Sequence, residues 1–199
     1  MQFSPHELTA LLVAISFAAG LNVYATVGSL GLLARLHVLQ LPPGLELLTS
    51  WYVIGVCIAL FLVEFFADKI PAFDLIWNAL HTFVRVPVAA FIAYHATANL
   101  PLWEQLGVTV AGSAIALAAH GGKIAARAAV TPSPEPFSNS ALSLAEDAFV
   151  VFLMWFASNH PYWAASIVAA CLVVIVLLIR WVWRAMKTLF VDAEHAVAH

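Results

Sequence analysis

Charge is scarce in this chain: 10% of its 199 residues are Asp, Glu, Lys or Arg, and no basic run occurs. Tracking a nucleic-acid backbone requires clustered Lys and Arg, so DNA and RNA are excluded as partners. Cysteine is nearly absent too. Cys57 and Cys171 stand inside apolar stretches, without the CxxC or Cys/His spacing of a zinc or redox motif, and read as packing residues. HExxH and the nucleophile signatures of membrane lipid phosphatases are missing, so no catalytic residue is assigned. The opening MQFSPHELTALLV lacks the basic segment of a signal peptide, and its apolar run outlasts a signal's core. It is expected to be a retained first span.

What is present is mostly hydrocarbon. Hydrophobic residues make up 63% of the chain and the mean hydropathy is +0.95, well above the balance of a soluble domain. Apolar runs recur near the roughly 20 residues that a helix needs to cross about 30 Å of lipid. The fold class is therefore all-α integral membrane. Six transmembrane helices are expected at about 7–35, 47–67, 74–96, 104–129, 140–159 and 162–188. The breaks carry turn chemistry: Leu41-Pro42-Pro43-Gly44, Lys69-Ile70-Pro71, Asn99-Leu100-Pro101, Pro132 to Pro136, and Asn159-His160-Pro161. Ser140, followed by Ser143 and Glu146, offers N-terminal capping for the fifth helix. Trp51, Tyr52, Trp103, Trp155, Tyr162, Trp163, Trp181 and Trp183 fall near predicted ends and read as interfacial belts.

Cytoplasmic loops retain Lys and Arg. With six spans, Lys69, Lys123, Arg127, Arg180, Arg184 and Lys187 share a side with both termini, and only Arg35 lies opposite. Both termini are expected to be cytoplasmic. The layout also repeats: from Arg35 a Pro-rich loop and a helix lead to Pro71, and from Arg127 another such loop and helix lead to Pro161. Residues 1–100 and 101–190 thus read as two three-helix repeats, inverted because three is odd, followed by a polar tail at 191–199.

Ionisable groups inside spans are costly and are kept where they pair or line a cavity. Here they gather toward one predicted side. Glu64 and Asp68 end the second helix, with Lys69 just beyond; Asp74, His81 and Arg85 begin the third; His120, Lys123 and Arg127 end the fourth; Glu146 and Asp147 begin the fifth. Their i,i+3, i+4 and i+7 spacings put each set on one helix face. Two readings stand side by side. One is interhelical salt bridging, since four fixed cations face five carboxylates. The other is a polar cavity for a small charged solute or a lipid headgroup, with His81 and His120 able to titrate near neutral pH. A discontinuous first helix, with Gly20, Asn22, Tyr24 and Thr26 at mid-bilayer, would line such a pathway. A small-residue packing face explains those residues equally well. No cofactor is expected. A divalent cation stays open, because hard cations take loosely patterned oxygens.

These polar segments also resemble a family of small bacterial integral membrane proteins, with plant relatives, catalogued only as a domain of unknown function. The resemblance rests on Ala19 to Tyr24, Leu41 to Glu46, Val63 to Pro71 with Asp74, Trp77, His81, Thr82 and Arg85, His120 to Lys123 with Arg127, and Ser133 to Asn139 with Ser143, Glu146 and Asp147. It covers nearly the whole chain. The sequence departs after Arg85, where the family continues with Pro and a nearby Gly and this chain reads Val86-Pro87-Val88-Ala89. The resemblance implies a bacterial inner-membrane protein and implies no activity. The function expected from the residues is transport or permeation, with Glu64 and Asp68 coupling a cation or proton. His81, Arg85, His120, Lys123 and Arg127 would hold an anionic group. A membrane enzyme acting on a lipid phosphate, or an assembly protein without a ligand site, are the alternatives, and the oligomeric state is open.

Overall fold

The computed structural model describes residues 3–68, 71–130 and 136–197. Among them every regular element is helical. The seven α-helices are α1 (Pro5–Leu21), α2 (Val23–Arg35), α3 (Trp51–Ala67), α4 (Pro71–Ala96), α5 (Leu102–Val130), α6 (Pro136–Asn159) and α7 (Pro161–Val197), with a 3-10 turn at Glu46–Thr49. Leu102–Arg127, Ser140–Asn159 and Pro161–Arg184 are each long and apolar enough to cross a bilayer, which marks the chain as a membrane protein. α1 and α3 are apolar but shorter, at 17 residues each.

α1 opens with a reciprocal cap. The Ser4 hydroxyl accepts from the Glu7 amide, Glu7 Oε2 accepts from the Ser4 amide, and Pro5 holds the first helical position. From Ala10 to Leu21 the helix is buried on almost every side, packed by α4, α5, α6 and α7. That explains its lack of a polar face. It ends where Asn22 turns extended, at φ −146° and ψ 103°.

The expected first span over 7–35 is in fact two helices folded back on each other. Were α1 and α2 collinear, Pro5 and Arg35 would lie about 45 Å apart at 1.5 Å per residue, and the six residues on to Leu41 could recover at most about 20 Å of it. Instead Phe3, Pro5 and Leu8 share one pocket with Gln40–Pro43 and with Ala96, Thr97, Asn99 and Leu100. A Cβ on Gly44, whose φ is +97°, would stand 2.9 Å from the His95 carbonyl oxygen, so the loop after α2 presses on the end of α4. Helix directions agree. Ser16 meets Gly112 and Gly20 meets Ala116 and Ala119, so α1 runs parallel to α5; Gly28 faces Cys57 and Gly31 faces Ile54, so α2 runs antiparallel to α3.

Two expectations change with this hairpin. Residues 1–100 hold four helices, not three. The start of α1 also lies at the end of the bundle opposite the last part of α7, because Ile175 and Ile179 of α7 already reach Gly122 and Gly121 near the end of α5. The first turn of α1 and the last part of α7 therefore do not share one end of the bundle. Sequence hydropathy missed this because a single Asn does not interrupt an apolar run. One smaller correction follows: α6 begins at Pro136, which puts Ser140 inside the helix; α4 runs through Pro87, as the expected span over 74–96 does.

Candidate functional site

Four helices deliver the buried charges. α3 places Glu64 in its last turn and Asp68 just past its end, on the same face; α4 supplies His81 and Arg85; α5 supplies His120, Lys123 and Arg127; α6 supplies Ser143, Glu146 and Asp147. Lys123 lies about 31 Å along α5 from Leu102 and about 10 Å short of Val130. The charges thus sit inside the bundle, toward the end where α3 meets α4.

They interlock. Arg85 Nη2 pairs with Glu64 Oε1, and both side chains are fully buried. The Lys123 ammonium lies 3.0 Å from Asp68 Oδ2, 3.3 Å from Glu146 Oε2 and 3.7 Å from Glu64 Oε1. Arg127 Nη2 donates to the same Asp68 oxygen at 2.9 Å and to Glu146 Oε2 at 3.4 Å, and its Nη1 reaches the Asp68 carbonyl at 3.3 Å. The Ser143 hydroxyl adds a fourth contact to Asp68, at 3.2 Å. Ser143 thus bonds α3 and does not cap α6. Each ion so buried forfeits several kcal/mol of hydration, which only close pairing offsets.

The histidines take defined tautomers. Arg85 has no acceptor, so His120 Nδ1, 2.6 Å from Arg85 Nη1, accepts and its proton sits on Nε2. That nitrogen donates to Thr82 Oγ1 at 2.7 Å, and Thr82 donates to the Asn78 carbonyl at 3.3 Å. His81 Nδ1 donates to the Trp77 carbonyl at 2.7 Å, which leaves Nε2 to accept from the Tyr24 hydroxyl at 2.9 Å. His81 also stacks on Trp77 with centroids 4.3 Å apart.

Asn22 links the helix break to this region. A broken helix strands amides and carbonyls that need partners. The Asn22 amide donates to the Ala18 carbonyl, its side-chain oxygen accepts from the Ala25 amide at 2.9 Å, and its side-chain nitrogen donates to Asp147 Oδ1 at 2.9 Å. The Thr26 hydroxyl donates back to the Asn22 carbonyl at 2.7 Å. Asp147 Oδ2 is buried and has no hydrogen-bond partner among the described residues.

Of the residues expected at the site, Glu64, Asp68, Arg85, His120, Lys123, Arg127 and Glu146 form one network. Asn22 and Asp147 form a pair beside it, and His81 bonds Tyr24 and the Trp77 carbonyl. Lys69, and the side chain of Asp74, lie outside the described residues. Sequence reasoning did not assign the roles of Thr82 and Ser143, since hydroxyls carry no charge signal, nor the bond from Tyr24 to His81. Among the described residues no three His, Cys, Asp or Glu side chains are grouped to hold a metal ion. The aromatic residues expected in interfacial belts, from Trp51 and Tyr52 to Trp181 and Trp183, are exposed on the bundle surface.

The geometry can be set beside known proteins. Residues 9–181 match the model of a family described as Domain of unknown function (DUF4126). No curated protein and no solved structure matches the chain.

Proposed function

We propose that this chain, which belongs to the DUF4126 family, is a small transport or permeation protein of the bacterial inner membrane, passing a small charged solute through its buried polar region. One observation carries the reading. A fold-back at Asn22, deep among other helices, opens directly onto a buried set of charges. Broken helices are tolerated at membrane depth where they line a pathway, and intramembrane charges mark ion and proton routes.

The balance of charge favours a cation over an anion. Arg85, Lys123 and Arg127 are each engaged by carboxylates, so none is left to grip a phosphate or an anionic headgroup. That weighs against the lipid-phosphate enzyme. In this reading α3 to α7 cross the bilayer and the α1–α2 hairpin enters and leaves from one side. Arg180, Arg184 and Lys187 then place the end of α7 in the cytoplasm and the start of α1 outside. The opposite running senses of α2–α4 and α5–α7 support an inverted pair of three-helix units, with α1 packed beside them.

Stopped-flow light scattering of proteoliposomes, challenged with sodium, potassium, choline or magnesium salts, tests the reading. Wild-type vesicles should re-swell faster than empty ones for at least one cation, and Asp68→Asn or Arg127→Gln should slow that phase at least about tenfold. Identical traces for wild type, variants and empty vesicles would leave the network as an interhelical clamp.

A further inference from the structure

The described carboxylates of the buried cluster divide unequally among the cations. Glu64 pairs with Arg85 and Lys123, Asp68 with Lys123 and Arg127, and Glu146 with Lys123 and Arg127. Three carboxylates thus use three cations. Asp147 is the fourth carboxylate, and among the described residues no cation lies within salt-bridge distance of it. Its one hydrogen-bond partner among the described residues is the neutral amide of Asn22, and its second oxygen is buried with no described partner. An uncompensated charge is expensive at such a place.

Protonating Glu64, Asp68 or Glu146 would cost the cluster at least one ion pair. Protonating Asp147 breaks no ion pair, because there is none to break. A proton on Asp147 Oδ2 would instead give a buried, orphaned oxygen a hydrogen to donate. Asp147 is also the group bonded to the residue at which α1 and α2 fold back. The amide that Asn22 offers it belongs to the side chain that caps α2 through the Ala25 amide. A charge-assisted hydrogen bond is about twice as strong as a neutral one, so the charge on Asp147 sets how firmly the hairpin tip is held to α6.

We propose that Asp147 is a reversible proton-binding site, and that its protonation loosens the tie between the α1–α2 hairpin tip and α6. The inference rests on the transport reading only in naming the proton as the coupling ion; the binding site itself stands on the geometry. The step is a simple exchange. The carboxylate gains a proton from water reaching the cluster, forming an O–H bond on Oδ2, and returns it to water without electron transfer. Facing groups are Asn22 from the hairpin, which bonds it directly, and Lys123 from α5 with Glu64 and Asp68 from α3, which act on it through space.

Full-length protein in nanodiscs would be titrated while its infrared spectrum is recorded in the carbonyl region. Wild type should show a protonated buried carboxyl band that appears and vanishes reversibly with pH. Asp147→Asn, close to isosteric, should abolish that band while leaving the helical amide bands and thermal unfolding intact. Asn22→Ala should keep the band but move its midpoint by about one pH unit, the effect expected of losing one charge-assisted bond. An unchanged band in Asp147→Asn, or a band lost only on Glu64→Gln or Asp68→Asn, would overturn the assignment. The spectrum needs no flux, so a protein with the Asp147 band and no permeation would sink the transport reading alone. Permeation without the band would sink the proton site alone.

Discussion

Asn22 and Asp147, 125 residues apart, meet through one hydrogen bond of 2.9 Å between the tip of a helical hairpin and the middle of α6. The same asparagine caps α2 through the Ala25 amide. A single side chain therefore both makes the turn and anchors it.

Asn22→Ala should lower unfolding free energy by about 2–4 kcal/mol, combining a lost N-cap with a buried carboxylate deprived of its donor. Denaturation in mild detergent, followed by circular dichroism, measures it. A melting temperature equal to that of the wild type would mean the tip is held by other contacts.

Arg85→Met strands Glu64 beside a single, more distant ammonium and removes the donor to His120 Nδ1. Stability should fall by about 3–5 kcal/mol. Adding Glu64→Met should recover much of the loss, since paired apolar replacements of buried ions are often neutral. The function proposed here predicts that stability returns in the double variant and solute flux does not. Recovery of both would assign this pair a holding role.

The hairpin predicts which positions face the same water. In a background with Cys57→Ala and Cys171→Ala, His6→Cys and Gln40→Cys should react with a membrane-impermeant maleimide from one side, and Lys187→Cys from the other. Labelling of His6→Cys and Lys187→Cys from the same side would contradict the fold-back and restore a single crossing over 7–35.

Close packing of α1 on α5 depends on Gly20. A Cβ there would strike the Ala116 carbonyl oxygen and approach the Ala119 Cβ to 2.8 Å. Gly20→Ala should therefore destabilise by about 1–3 kcal/mol, the cost of overpacking. Gly107→Ala is the control, because nothing lies within 4 Å of its added methyl, and helix propensity should make it neutral or slightly stabilising. Equal melting temperatures for the two variants would argue against the α1–α5 contact.

Much of the site was legible in the sequence because charges in apolar helices are conspicuous. Glu64, Asp68, Arg85, Lys123 and Arg127 stood out by spacing alone, and the structure brings them together. Their pairing was not legible. Among the described residues Lys123 reaches three carboxylates and Asp147 reaches no cation, and that inequality depends on how α3, α5 and α6 are rotated against one another. Helix faces state which residues can meet a neighbour; packing selects which neighbour it is.

The sequence by itself determined that this chain belongs in a bilayer, where most of its helices begin and end, and which residues carry charge into the interior. Hydropathy and Pro-marked turns are local properties, so a linear reading captures them. Only the tertiary structure decided that 7–35 folds back at Asn22, because a straight helix and a hairpin have the same hydropathy and differ only in where the far end packs. It also set Asp147 apart from the other carboxylates, since burial without a cation partner is a relation among helices and not a property of any one of them.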